Sequence, residues 1–393
     1  MRLVIRQFLS GILFSGLDIR FASLMRGRKT GPAYIACNKS VYLLNGEFDM
    51  NTFDQNRRRL LLAAAAAAPL ALFGNRVFAQ TASTLKISHQ FPGGTLTKGD
   101  FRDRLCRKFA AEVEKRTQGA LKFEVYAGSS LMKTNAQFSA MRKGALDLSL
   151  VPLSYAGGEV PETNIGLMPG LVPSYAQGAA WKNAEVGRLL TQVLNDKGIV
   201  VVSWIWQAGG IASRTTPLVS PDDAKGMKVR GGSREMDMVL KEAGASVITL
   251  PSNDIYAAMQ TGAMDAAMTS STSLISFRLE EVSKHLTSGR GKSYWFMLEP
   301  LMMSKAIFDQ LPKAQQDAIM AVGEEMEKFA IEGAKADDQA VADIYAKSGA
   351  KVYDLDDAMV KRWQAIARVT AWKDFAGRSE SCAKLLKAAE KFA

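Results

Sequence analysis

The chain has 393 residues, 47% of them hydrophobic and 23% charged, and its 50 Lys and Arg against 39 Asp and Glu leave a net charge of +11. A mean hydropathy of −0.04 with 32 Gly and 12 Pro excludes collagen-like, disordered and polytopic membrane chains, leaving a globular protein long enough for two domains. The charge would point to a nucleic acid or an anionic membrane, but residues 1–79 carry eleven Lys/Arg against four acids, which is +7, and leave only +4 for the rest.

That leader has an internal order. Arg57-Arg58-Arg59 precede an apolar stretch over 60–73, and Val77-Phe78-Ala79 offers small residues for cleavage after Ala79. This is the grammar of an export signal. Its 14-residue apolar core is shorter than the roughly 20 residues that span a bilayer, so removal is expected rather than anchoring. The run from Asn56 to Leu61 resembles a twin-arginine signal, with an ordinary secretory signal as the alternative. Met50 stands seven residues ahead of the arginines. Residues 50–79 are therefore read as a signal peptide, 1–49 as an extension from a misplaced start codon, and the expected location as the periplasm.

Beyond the leader, residues 85–88 read as a strand. Over 101–117, Phe101, Leu105, Phe109 and Val113 recur every four residues, one stripe of a helix that stops at Gly119. Residues 121–126 alternate as a second strand, so the first forty residues form a βαβ unit of a parallel sheet. Further on, Ala140-Met141-Arg142-Lys143-Gly144-Ala145-Leu146-Asp147 recurs as Ala258-Met259-Gln260-Thr261-Gly262-Ala263-Met264-Asp265. In each copy the Gly suits the left-handed position that ends a helix before a strand, and the recurrence predicts two lobes of like architecture. The second lobe reads as strand 226–230, helix 233–243, strand 246–250 and helix 254–261. A strand-like stretch over 294–303 follows, then a run of helices opened by Pro312 and punctuated at Gly349 and Gly377.

The catalytic vocabulary is sparse. His89 and His285 are the only histidines, and no frame such as G-x-S-x-G or H-E-x-x-H contains the Ser or His of a known machinery. Three cysteines, Cys37, Cys106 and Cys382, form no C-x-x-C and no metal cluster, so no metal and no cofactor is expected, and Cys106 and Cys382 are read as separate thiols. No enzyme is expected, although a hydrolase built from carboxylates far apart in sequence stays open. What the sequence offers instead is Arg230 at the end of a strand before Gly231-Gly232. There its guanidinium would emerge at the sheet edge where ligands of open α/β sheets gather, with a fork that fits a carboxylate. A surface arginine paired with an acid is the other reading.

The order Pro221-Asp222-Asp223-Ala224-Lys225-Gly226-Met227-Lys228-Val229-Arg230, then 240–244, then Asp254 through Asp265, resembles the solute-binding subunit of tripartite ATP-independent periplasmic (TRAP) transporters. The similarity extends over nearly all of 84–375. It implies an α/β, two-lobed, periplasmic-binding-protein-like fold, each lobe a mixed sheet flanked by helices, with C-terminal helices. Lobe I is expected over 84–207 plus about 296–335, and lobe II over 208–295 plus about 336–393. It also implies a monomeric receptor that closes on a small organic acid and delivers it to integral-membrane permease subunits, with no nucleic-acid partner. A binding protein for an ATP-driven importer or a sensor kinase is the alternative. By the resemblance Arg230 clamps the ligand carboxylate, and Thr269 stands where the family commonly has Asn, with Ser270 beside it. Gln90, Ser129, Tyr155, Trp206, Tyr294 and Trp295 fall where family members line the cleft. One cationic clamp, small hydroxyls and several aromatics lean toward a monocarboxylate.

Overall fold

Residues 83–392 are described by the structure, a computed structural model; the expected signal peptide, its cleavage at Ala79, the 1–49 extension and Cys37 lie outside the described residues. In chain order the elements of the first half are β1 (Ser83–His89), α1 (Phe101–Arg116), β2 (Leu121–Tyr126), α2 (Gln137–Arg142), β3 (Leu148–Leu150), α3 (Tyr175–Trp181), α4 (Glu185–Asp196), β4 (Ile199–Ser203) and β5 (Trp206–Ser213). There follow β6 (Lys228–Arg230), α5 (Arg234–Glu242), β7 (Ser246–Val247), α6 (Ile255–Gln260), β8 (Ala266–Ser270), α7 (Ser271–Ser276), β9 (His285–Ser288), β10 (Phe296–Leu298) and β11 (Leu301–Ser304). The chain ends with α8 (Lys305–Phe308), α9 (Lys313–Lys347), β12 (Lys351–Asp354), α10 (Asp357–Ala367), α11 (Lys373–Arg378) and α12 (Glu380–Ala389).

Two mixed sheets result. The first runs β2-β1-β3-β11-β4 and the second β12-β9-β5-β8-β6-β7, with β10 also paired to β5. The predicted βαβ unit is present: β1 and β2 are parallel, with Ser83 opposite Leu121. The stripe Phe101, Leu105, Phe109 and Val113 is buried against that sheet, about 1.5–3 kcal/mol for each side chain removed from water. Helix α1 begins because the Asp100 side chain accepts the Arg102 N–H at 2.8 Å.

The recurring segment does the same work twice. Gly144 and Gly262 have φ of 70° and 75° and end α2 and α6. Three residues later, the Asp147 carboxylate accepts the backbone N–H of Lys86 on β1 at 2.6 Å, and Asp265 accepts that of Lys228 on β6 at 2.8 Å. Each Asp thus ties the strand it precedes to a parallel neighbour, β3 to β1 and β8 to β6.

The stretch expected as one strand over 294–303 is two strands in different sheets. Strand β10 pairs antiparallel with β5, and β11 with β3 and β4. The break falls at Glu299-Pro300, where a charged residue and a proline without an N–H interrupt the ladder. This crossover lies against the other one, between β4 and β5, because Glu299 N–H donates to the Ile205 carbonyl at 2.8 Å. The 35-residue α9, about 50 Å long at 1.5 Å per residue, is a third connection. Its Ile319, Val322, Ala330 and Ala334 enter the core under the first sheet, and its Val341 and Tyr345 enter that of the second. Near the end of the chain, Gly377 lies inside α11, and the break comes at Ser379, whose side chain caps α12 by accepting the Cys382 N–H at 3.0 Å. Cys106 and Cys382 are free and buried.

Candidate functional site

Strand β6 lies between β8 and β7 and ends at Arg230. The side chain is 3% exposed, folded back under its own strand end. Gly232 permits this. Its φ is +93°, and a Cβ there would stand 2.7 Å from Arg230 Nη1. The guanidinium donates from Nε to the Leu250 carbonyl at 3.1 Å, from Nη1 to the Met268 carbonyl at 2.6 Å and from Nη2 to the Tyr155 hydroxyl at 2.9 Å. All three acceptors are neutral. Among the described residues no carboxylate lies within ion-pair distance of it; the charge of Arg230 is felt by Asp237, which burial nonetheless pushes up to about 6.

Tyr155 follows β3 and so comes from the first sheet, whereas Arg230 belongs to the second. Its hydroxyl also accepts the Ser252 N–H at 3.0 Å. With two donors on its oxygen, the phenol keeps its own proton for a further acceptor. Arg230 and Tyr155 share the wall of a narrow cavity with Pro152, Leu167, Thr269, Ser273, Trp295, Met297 and Glu299. An adjoining recess shares Tyr155 and Gly232 and adds Asn135, Asn164, Arg234 and Asp237. A larger groove over Val201, Val202 and Trp204 on the outside of the first lobe includes neither Arg230 nor Tyr155.

Behind one wall lies a second buried charge cluster. Arg102 is bound bidentately by Asp100, with Nε–Oδ1 at 3.0 Å and Nη2–Oδ2 at 2.7 Å. Its Nη1 reaches Glu299 Oε2 at 3.2 Å, Ser273 Oγ at 3.1 Å and Ser270 Oγ at 3.3 Å. The guanidinium carbon sits 3.6 Å from the centre of the Phe91 ring. Glu299 Oε2 also accepts from the Gln207 amide, and Oε1 has no partner among the described residues. Burial pushes the Glu299 carboxyl up to about 7 against the opposing pull of Arg102.

Of the residues named from the sequence, Arg230, Tyr155, Thr269 and Trp295 meet around the cavity. Ser270 sits just behind it as the N-cap of α7, accepting the Ser273 N–H at 3.2 Å. The others lie off the cavity wall. Tyr294 stacks on Trp363 with ring centres 5.0 Å apart and directs its hydroxyl to Met268 Sδ at 3.1 Å. Trp206 packs edge-on against Trp181 at 5.1 Å. Gln90 is buried with neither amide atom partnered among the described residues. Ser129 meets Thr134 at 2.8 Å, and Thr134 in turn meets Asn253 at 3.1 Å, a bridge between the segments after β2 and β7. Glu299, Ser273 and Ser252 were not singled out from the sequence. For Glu299 a signal existed, since a lone acid inside the apolar run 296–303 is rarely left in a core without a partner.

Known proteins bear on this geometry. The family "Bacterial extracellular solute-binding protein, family 7" matches residues 95–377. A solute-binding protein of Albidiferax ferrireducens is 72% identical over 313 residues, covering 80% of this chain and 92% of its own. The 2,3-diketo-L-gulonate-binding periplasmic protein of Escherichia coli is 27% identical over 290 residues, covering 73% and 87%. Among solved structures, a TRAP periplasmic solute-binding protein from Rhodoferax ferrireducens with bound malonate has 72% identity and a TM-score of 0.78, covering 78% of this chain and 98% of that one. A Bordetella pertussis extracytoplasmic solute receptor binding pyroglutamic acid shares the fold at 24% identity and a TM-score of 0.68, covering 78% and 99%.

Proposed function

The chain belongs to family 7 of the bacterial extracellular solute-binding proteins, and from that premise we propose that it captures a small organic acid between its lobes, with the ligand carboxylate on Arg230. The observation that carries the proposal is a buried guanidinium whose three partners are all neutral. A buried cation without a counter-charge is costly by several kcal/mol. A carboxylate entering the same cavity offsets that cost, and exclusion of water strengthens the pair. Tyr155 supplies a second donor from the opposite lobe, so the site is complete only with the lobes together. Closure would turn on the paired crossovers at 204–205 and 299–300, as expected of a hinge.

The rest of the reading follows from the family. The protein is exported, with its signal cleaved near Ala79, works in the periplasm as a monomer without turnover, and hands its ligand to TRAP permease subunits. Among the described residues Arg230 is the one guanidinium lining the cavity, which supports one firmly clamped carboxylate. Malonate, bound by the Rhodoferax ferrireducens protein, carries two, so the far end of the cavity decides between a mono- and a dicarboxylate. A thermal-shift panel of small mono- and dicarboxylates, malonate included, tests the function. Stabilisation by one or a few acids, with no turnover of esters, phosphates or glycosides, is expected. Absence of any stabilising acid, or steady turnover, overturns it.

A further inference from the structure

We propose that Glu299 determines specificity at the far end of the cavity: it holds a proton on Oε1 and donates it as a hydrogen bond to a second oxygen acceptor of the ligand, the distal carboxylate of a short dicarboxylate. This rests on the reading of Arg230 as the clamp for the first carboxylate.

The geometry gives three grounds. Glu299 is wholly buried and lines the same cavity as Arg230, so a ligand seated on the guanidinium lies against it. Its Oε2 is already engaged by Arg102 Nη1 and the Gln207 amide, while Oε1 has no partner among the described residues. In the neutral acid the proton therefore belongs on Oε1, the only oxygen left to donate. Finally, Arg102 is committed to Asp100 through two bonds of 3.0 and 2.7 Å, which makes Glu299 the surplus acid of that cluster. Ionised, it would leave a bare anionic oxygen in the protein interior, where an unmet charged acceptor is expensive. Protonated and facing a ligand oxygen, it is satisfied.

The groups facing Glu299 are consistent with this. Arg102 and Asp100 approach from the start of α1, neutral Gln207 from β5 and the Ser273 hydroxyl from α7, while Arg230 stands in the shared wall and Asp337 of α9 lies behind Asp100 and Arg102. Burial holds the carboxyl near 7, within reach of protonation at neutral pH, and an anionic ligand would raise it further.

The sign follows. The ligand selects the protonated form, so affinity is full below the carboxyl's own pKa and declines as pH rises through it.

Titration calorimetry of the protein with malonate and with propionate, at pH 6.5, 7.5 and 8.5 in buffers of different ionisation heat, tests the proposal. Malonate should bind more tightly than propionate, take up close to one proton above pH 7, and weaken by up to about tenfold per pH unit there. Glu299→Gln keeps a donor and should bind malonate with a flat pH profile and no proton uptake. Glu299→Ala should lose the preference for malonate. Arg230-dependent binding of malonate without proton uptake, or a Glu299→Gln protein that retains the wild-type slope, overturns the role of Glu299 alone. Failure of both acids to bind overturns it together with the carboxylate clamp.

Discussion

Replacing Arg230 with alanine separates what the guanidinium does for binding from what it does for folding. In the protein it makes three hydrogen bonds, to the Leu250 and Met268 carbonyls and the Tyr155 hydroxyl. Bonds from a charged donor stabilise by about 1.5–3 kcal/mol each, and burial of the cation costs several kcal/mol in return. The two nearly cancel, so the unliganded variant should melt within a few degrees of wild type. Binding has no such compensation. Removing one partner of a buried ion pair costs about 3–5 kcal/mol, or roughly two to three and a half powers of ten in Kd. At a ligand concentration of 100 Kd the wild type gains about 2.7 kcal/mol of stability. With Kd raised at least 100-fold, the variant gains no more than about 0.4 kcal/mol at the same concentration. A thermal-shift titration with the stabilising acid should therefore fall from a shift of several degrees to about one or less. Arg230→Lys keeps the charge but not the fork and should bind at least about tenfold more weakly than wild type. An alanine variant that keeps the wild-type shift refutes the clamp.

Other outcomes follow from the same geometry. Tyr155→Phe removes the acceptor of both Arg230 Nη2 and the Ser252 N–H and should weaken binding by about 10- to 100-fold, by the 1.5–3 kcal/mol of a charged hydrogen bond; unchanged calorimetric affinity would show that the phenol takes no part. Gly232→Ala places a Cβ 2.7 Å from Arg230 Nη1 at a φ of +93°. It should cost about 1–3 kcal/mol of stability and reduce affinity while circular dichroism stays native, and a variant as tight and as stable as wild type contradicts the packing described. The pH dependence has a definite sign. Burial raises Glu235 and Glu299 to about 7 and Asp237 and Asp338 to about 6, so the folded state binds more protons than the unfolded chain between their ordinary values and these. Stability of the unliganded protein should fall as pH rises from about 5 to 7.5. Burial would raise Asp103 too, but hydrogen bonds from His89 and Arg107 outweigh it and hold the carboxyl low, so the stability it adds is lost only in more acidic solution. Calorimetric melting that rises steadily between pH 5 and 7.5 refutes this.

Much of the fold is legible because it is written in local periods. The stripe of Phe101, Leu105, Phe109 and Val113 specifies a helix wherever it packs, and the alternation over 121–126 specifies a strand. The repeated Gly-Ala-x-Asp is informative for a reason visible only in three dimensions: each Asp carboxylate accepts a backbone N–H of a neighbouring parallel strand, at Lys86 and at Lys228. The stretch 294–303 misleads because its apolar pattern is continuous while its strand partners are not. Which sheet each half joins depends on β5, β3 and β4, up to 151 residues away in the register between Met297 and Leu301 and their partners Gln207, Leu150 and Ser203. The aromatic candidates divide for a related reason. Trp295 reaches the cavity, whereas its neighbour Tyr294, also in the segment ahead of β10, stacks on Trp363, a division made by packing partners distant in sequence.

The sequence by itself determines the two-lobed α/β pattern and the position of Arg230 at a strand end before two glycines, because each follows from residues close together along the chain. Only the tertiary structure decides that Arg230 is buried against three neutral acceptors, that Tyr155 meets it from the other lobe, and that Glu299 shares the cavity with one oxygen unmet. Those are properties of distance and desolvation among groups far apart in sequence, Arg230 and Tyr155 by 75 positions and Arg102 and Glu299 by 197. Periodicity carries no record of such meetings; they are set by how the sheets and the long helix α9 bring the two lobes together.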